Sequence, residues 1–457
     1  MPGGLSCALQ PLTGKLYTYF RAKWIFLIFV LVFELGSLLC GLATSSNMLI
    51  GGRAVAGIGA SGLSNGGLTI IAGAVPLDKS PLYTGIMLGI GQIGLISGPL
   101  VGGALTESAT WRWCFYINLP IGGVAALMIL LVKVPEITKK KAFSPGAVSR
   151  VLPKLDLVGF VHFVPAAIMF LLALPFGGDG TYAWGSATII GLFVGAAATA
   201  VLFGLWEARM GDSAMIPASL LRNRIVVSSA GQTLTLAWCI FVPSFYQPIY
   251  FQAVKGGNTN TEWLSRFGYY LPFAVIGMTV TAIANGLIST FSPTTSIGQW
   301  VGYQILMGAG RGSSLQIKQS FIAIQNALPA NQIPVALAFI IFSQNFGGAV
   351  AAVVVTTVFN RSLLAQLKVL VPSLSPAAVL AAGPSADAVR ALALPDSPLL
   401  SGLLIAYSKA VQNLFYMLAG LAVLSFVFSL GMGWKDIRTH KSGDKSVLDT
   451  RSEKGKV

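Results

Sequence analysis

The sequence predicts an all-α, polytopic membrane protein, a bundle of helices crossing a bilayer, and three observations predict it. Charged residues make up only 10% of the chain against 54% hydrophobic, where a soluble domain carries about 25% charged, and the mean hydropathy is +0.74. The apolar residues gather into about eleven runs of roughly twenty residues, the length that crosses hydrocarbon. The formal charge of +15 falls mostly between those runs, where basic loops hold topology, so it does not indicate a nucleic-acid partner.

The runs follow one another in order. Ile25–Thr44, Leu49–Val75, Tyr83–Leu105 and Trp113–Val132 come first, then Leu157–Leu174 and Ala187–Leu205. Ile225–Tyr250, Tyr269–Ile288, Ile297 to about Leu315, Ile333–Phe359 and Val411–Trp434 complete the set. Lys15, Arg21 and Lys23 precede the first run, and Lys133, Lys139, Lys140, Lys141, Arg150 and Lys154 fill the longest basic loop. Arg209, Arg222 and Arg224 stand before Ile225, and the tail holds Lys435, Arg438, Lys441, Lys445, Arg451, Lys454 and Lys456. All four segments are expected on the cytoplasmic side, with the poorly charged connections around Ser45, Glu107 and Asp179 outside. An odd number of crossings places the basic tail outside, so one crossing is expected to be missing between Lys255 and Arg266, and Met1–Thr13 is too short to cross. Met1–Thr13 also lacks the basic and long apolar regions of a cleavable signal. Cys7, Cys40, Cys114 and Cys239 are scattered and read as buried thiols.

The stretch Gly85–Trp113 is of membrane length yet rich in glycine. Gly85, Gly89, Gly94, Gly98 and Gly102 recur mostly every four residues, which sets them near one helix face and lets a neighbouring helix come to backbone contact. Pro99 within it is tolerable because neighbours in a bilayer satisfy the groups it frees. Gly94, Gly98, Pro99, Gly102 and Gly103 in GLISGPLVGG resemble, at every fixed position, the antiporter motif of the major facilitator superfamily. The whole chain is similar to the fourteen-span drug:proton antiporter branch, particularly its fungal toxin-efflux members. Gly14, Leu16 and Lys23 then match that family's cytoplasmic loop motif, although Thr18 stands at its acidic position and Arg21 at its glycine. The resemblance implies a two-bundle helical fold, here shortened at the N-terminus and by the one span near residues 255–266. It divides the chain into an incomplete N-terminal bundle (1–132), a basic loop with two linker spans (133–224), an incomplete C-terminal bundle (225–434) with an outside loop at 360–410, and a tail (435–457). Asn360-Arg361-Ser362 in that loop fits a glycosylation sequon.

Few groups at membrane depth carry chemistry. Arg53 lies in the run Leu49–Val75, where an unpaired cation is costly and usually faces a cavity or partner. The residues LIGGRAVAGIGA resemble the family's fourth-span motif, whose arginine is associated with proton coupling, with Ala56 where many members have glutamine. Glu34 is one of the few acids at depth and is either a coupling carboxylate or an acid bonded to a neighbouring helix. Arg311 and Lys318 set two cations near one face of a doubtful span. Gln92, Gln232, Tyr246, Gln247, Gln304, Gln344 and Asn345 supply the polar groups that orient an apolar ligand in a cavity, or else bond helix to helix. Gly57–Gly62 fits GxGxxG but lacks the strand–turn–helix setting of a dinucleotide site. No metal or cofactor site is expected, since His162 and His440 are isolated and no paired-carboxylate pattern appears.

The function this resemblance implies is proton-coupled antiport exporting small amphipathic organic compounds, with substrate, protons and the bilayer as partners, and a monomer in the plasma membrane, or a vacuolar or vesicle membrane, is expected. The alternatives are a non-transporting shortened family member and, further off, a membrane-embedded enzyme.

Overall fold

The computed structural model describes residues 2–76, 79–136, 138, 140, 151–178, 182–249, 270–292, 294–311, 313–375, 378–379, 389, 392 and 397–433. Among these the structure is helical without strands. Among the described residues eight stretches are long and apolar enough to cross a membrane, and Leu82–Gly91 and Val275–Ile288 are shorter apolar helices.

The helices of the first half are α1 (Pro2–Tyr19), α2 (Ala22–Gly41), α3 (Ser46–Ala74) and α4 (Ser80–Ser108), followed by α5 (Trp113–Tyr116) and α6 (Asn118–Leu131). The first is a correction: the segment expected to be a short lead and a loop motif is an 18-residue helix, and only Phe20 and Arg21 separate it from α2. Its apolar residues are too diluted by Gly3, Gly4, Gln10 and Thr13 to register as a span by composition, yet burial of Cys7, Ala8 and Tyr17 between neighbours keeps it helical. The Ser45 hydroxyl accepts from Met48 N–H at 3.2 Å and so caps α3.

The linker pair is α7 (Leu157–Gly178) and α8 (Ala187–Met210), followed by α9 (Ala218–Arg222). Ser186 caps α8, and Gly211 takes the left-handed φ of 59° that ends it. The last half holds α10 (Arg224–Ile249), α11 (Tyr270–Ile288), α12 (Ile297–Arg311), α13 (Ser313–Ala327), α14 (Ile333–Leu370) and α15 (Pro398–Leu430).

Three boundaries differ from expectation. The run Ile297–Leu315 is two consecutive helices, α12 and α13, and the second continues through Gln319 and Gln325 because these amides are buried against other helices. The 38-residue α14 and 33-residue α15 outrun a bilayer core of about 30 Å. The stretch 360–410, expected as an outside loop, is helical at both ends: Asn360-Arg361-Ser362 is helical, Ser362 Oγ accepts from Asn413 at 2.6 Å, and Ser397 caps a helix that begins thirteen residues before Val411. The hydrogen bonds internal to a helix let it run into water without a membrane to enclose it.

Helix α15 runs antiparallel to α10, since Cys239 meets Leu418 and Gln232 meets Ser425. At one end of the last half Phe291, just beyond α11, stacks on Tyr303 and accepts from Ser408 and Gln412. At the other end Ile322 and Ala323 pack on Met432 and Ile225. Thus α10 and α11 run the same way, and residues 250–269 between them, with the expected missing crossing, lie outside the described residues, as does the tail from Trp434.

The largest core gathers α10, α11, α14 and α15 around Phe359, Tyr407 and Phe415. A second cluster joins the halves: Leu68 of α3, with Met87 and Leu88 of α4 beside it, packs with Met278, Phe321, Leu337 and Ile340.

Candidate functional site

The site of interest is the seam between the halves, built most densely at the end of the bundle that carries the basic loops. There α1 meets α14 at backbone distance: a Cβ on Gly14 would stand 2.7 Å from Ala338 Cβ and 2.9 Å from Val335 Cα. Only glycine admits that approach. Ser80, at the start of α4, donates to Gln325 of α13 at 2.7 Å, a buried bond across the seam. Between these lies the cross-half apolar cluster around Leu68 and Phe321, so this end is shut.

The residues of the loop motif each grip a different element. Lys23 Nζ donates to the carbonyls of Leu130 and Val132 at 2.8 and 2.9 Å, a cation on the negative end of α6. Leu16 packs in the cluster of Tyr17, Phe20 and Phe29. The turn between α1 and α2 is clasped by the following segment, where Glu136 accepts from Ala22 N–H at 2.8 Å and pairs with Lys140 at 2.9 Å.

Lys15 was expected to be a loop charge. It is 3% exposed and donates to the carbonyls of Ser213 at 2.6 Å and Lys154 at 3.1 Å, tying α1 to both ends of the linker pair. Asp156, at a left-handed φ of 52°, accepts from Trp206 at 2.7 Å, Met215 N–H at 2.8 Å and Gly159 N–H at 3.0 Å. Glu207 accepts from Met215 and Ile216 N–H, both at 3.0 Å. On its other face the pair meets α14 through rings, Phe163 on Phe342 at 5.2 Å and Phe170 on Phe346 at 5.6 Å. The linker pair thus lies along the seam, held to α1 by charge-assisted bonds and to α14 by aromatic contact. Sequence reasoning missed this cluster, although an acid three residues before Gly159 at the head of an apolar run is a capping signal.

The proposed coupling residues do not meet. Glu34 turns to α6, where its carboxylate lies against Gly122 and Oε2 is buried without a partner among the described residues. Arg53 is exposed near the opposite end of α3 from the shut seam, its guanidinium 5.9 Å from the Phe115 ring, and among the described residues it forms no ion pair.

The antiporter-motif glycines also depart from expectation. Among the described residues nothing lies within 4 Å of a Cβ on Gly94, Gly98 or Gly103, and only Cys114 Sγ reaches 4.0 Å from Gly102. Among the described residues the backbone contact expected on this face is not made, since small residues permit approach but supply little attraction of their own. The side chains of Pro99 and Gln92 lie outside the described residues, as do those of Tyr246, Gln247, Arg311 and Lys318.

The remaining amides do not converge. Gln232 is fully buried and accepts from Ser320 at 2.7 Å, Gln304 is half-buried with Nε2 unpartnered among the described residues, and Gln344 and Asn345 are half-buried on α14. Among the described residues no hydrogen bond joins any two of them. The structure adds polar groups that reading by span did not single out: Gln10, Asn65, Thr69, Thr84 and Gln319 are all at least 98% buried, each with a side-chain polar atom lacking a partner among the described residues.

Residues 2–254 match the family model described as Major Facilitator Superfamily. The chain is 51% identical over 453 residues to the MFS-type transporter calB of Penicillium decumbens, covering 95% of this chain and 80% of that one. It is 50% identical over 467 residues to the MFS-type transporter pigP of Monascus ruber, covering 97% and 80%. Efflux pump mlcE of Penicillium citrinum is 43% identical over 476 residues, covering 97% and 84%. Among solved structures, that of the human organic anion transporter MFSD10 superposes with a TM-score of 0.55 at 12% identity, covering 94% of this chain and 82% of that one, a likeness of fold alone.

Proposed function

The chain belongs to the major facilitator superfamily, and from that premise we propose that it exports small amphipathic organic compounds in exchange for protons, as a transporter and not an enzyme. The observation that carries the reading is the asymmetry of the seam. One end is shut by Gly14 on α14, Ser80 on Gln325 and the cluster around Leu68, while among the described residues nothing lies within 4 Å of a Cβ on Gly94, Gly98 or Gly103 of α4. A bundle shut at one end, with a glycine face that no described residue packs closely against, suits a machine that exchanges access between two sides.

Relatives named as efflux pumps support the outward direction. The basic loops make the shut end cytoplasmic, and the plasma membrane is the proposed location. In this reading Arg53 and Glu34 serve proton exchange separately, Gln304, Gln344 and Asn345 line the substrate path, and one chain suffices.

Reconstituted into vesicles under an imposed proton gradient, the chain should drive an amphipathic dye against its own gradient, and a protonophore should stop it. Arg53→Ala should lose most of the gradient-driven component. Accumulation that persists after the gradient collapses would remove antiport. If only a version lengthened by one span within residues 255–266 moves dye, the activity belongs to relatives and not to this product.

A further inference from the structure

The entry to α7 and the exit from α8 border a shallow, open groove that neither the seam nor the antiporter face uses. It holds about 250 Å³ and is walled by Leu152, Pro153, Leu157, Val158, Trp206 and Met210, with Asp156 at its floor. Asp156 is occupied by three N–H donors, one of them the Trp206 indole. The indole N–H is thereby turned to the floor and the ring is left as an apolar wall. One linker helix begins here and the other ends here, so the groove sits where two spans leave hydrocarbon. Exposed apolar side chains continue from it along both helices, through Val161, Leu202 and Leu205.

Two cations adjoin its lining residues in the chain. Lys154 lies in the turn between Pro153 and Asp156, and Arg209 stands three residues after Trp206, on the same helix face. Both are exposed, and among the described residues neither has an ion-pair partner. Of the nearby acids, Asp156 and Glu207 are engaged by N–H donors, and the exposed Asp212 accepts from Ser219 N–H. We infer that the groove holds one anionic phospholipid of the leaflet at the basic end, with an acyl chain against Leu157, Val158 and Trp206 and the phosphate between Lys154 and Arg209.

Charge complementarity selects this occupant. Basic side chains just beyond a span attract anionic headgroups, whereas the chain's own basic tail would be repelled, and a neutral amphiphile would leave both cations unused. The floor of the groove also carries the linker's tie to α1, because Lys15 bonds the Lys154 carbonyl. A lipid held here should stiffen that tie.

The test uses the purified full chain in nanodiscs of phosphatidylcholine, with and without a minor fraction of phosphatidylserine. Native mass spectrometry should show one phosphatidylserine retained several-fold over phosphatidylcholine, with a higher unfolding temperature in its presence. The double variant Lys154→Gln, Arg209→Gln should lose both effects while unfolding normally in phosphatidylcholine alone. Val158→Trp should weaken retention with both cations intact. Equal retention of the two lipids, or a double variant that still prefers phosphatidylserine, would overturn the proposal, as would displacement of the lipid by a transported dye. None of these readouts depends on antiport.

Discussion

Helices α3 and α4 are each 29 residues long and rich in glycine, yet they are used in opposite ways. In α3 every notch that faces α2 is filled: Gly59 lies against the Phe33 backbone, Gly62 against the Phe29 ring and Gly52 against Cys40. In α4 the notches at Gly89, Gly91, Gly94, Gly98 and Gly103 have nothing within 4 Å among the described residues. Glycine spacing therefore specifies a surface of low relief and nothing more. Whether that surface becomes a fixed joint or spare room is decided by the helix opposite, and α2 brings a row of phenylalanines to fit the notches of α3. The close fit joins α2 to α3, while no described residue fills the face of α4.

The sharpest way to break this contrast is to add the same bulk to each helix. Gly59→Leu drives a side chain into a position where even a Cβ would stand 2.5 Å from Phe33 Cα. Overpacking of that kind costs 1–3 kcal/mol or more, so the yield of monodisperse protein in detergent should fall severely. Gly98→Leu meets no described residue within 4 Å of its Cβ and should fold with near-normal yield while dye export falls. If Gly98→Leu misfolds as Gly59→Leu does, the two faces are alike and the contrast is lost. If it both folds and exports normally, the face takes no part in the cycle.

How much of this was legible follows from what each feature is made of. The span α2 was plain because AKWIFLIFVLVFELGSLLCG is apolar almost without a break. The outer part of α14 was not, because Asn360, Arg361 and Lys368 end the apolar run without ending the helix. The loop motif was legible as residues but not as structure: Gly14 looks like a turn glycine in sequence and is a helix contact in space. The linker clamp left no pattern to find, since Lys15, Asp156 and Glu207 are far apart in the chain and bond mainly to backbone groups.

That clamp supplies the next largest effect, because it too is a fixed joint, made by charge where α2 and α3 use shape. Lys15→Met keeps the length of the side chain but removes a buried cation's bonds to two carbonyls. Hydrogen bonds to charged groups contribute about 1.5–3 kcal/mol, so the unfolding temperature should drop by several degrees. Asp156→Asn tolerates the same backbone conformation, but its NH2 must face an N–H donor that a carboxylate oxygen served, so it should cost a comparable amount. Equal and negligible shifts in both variants would mean that the linker pair is held by the rings on α14 alone.

The smallest effect is the most informative about movement, because it concerns a joint that must open. Ser80→Ala deletes one buried bond across the seam and leaves the Gln325 oxygen without its donor. A net hydrogen bond contributes about 0.5–1.5 kcal/mol, enough to raise the population open at the basic end by roughly fivefold. Thr84, one turn along α4, is buried with its hydroxyl unpartnered among the described residues, and burying such a group opposes closure. Thr84→Val, which keeps the shape and removes the hydroxyl, should therefore act with the opposite sign. A cysteine placed at Leu68, buried in the cross-half cluster, reports both through its labelling by a membrane-impermeant maleimide. Labelling should quicken in Ser80→Ala and slow in Thr84→Val. The two variants sit 4 residues apart on one helix, so a shift in the same direction would show that local disturbance, and not polar pairing across the seam, sets how often that end parts.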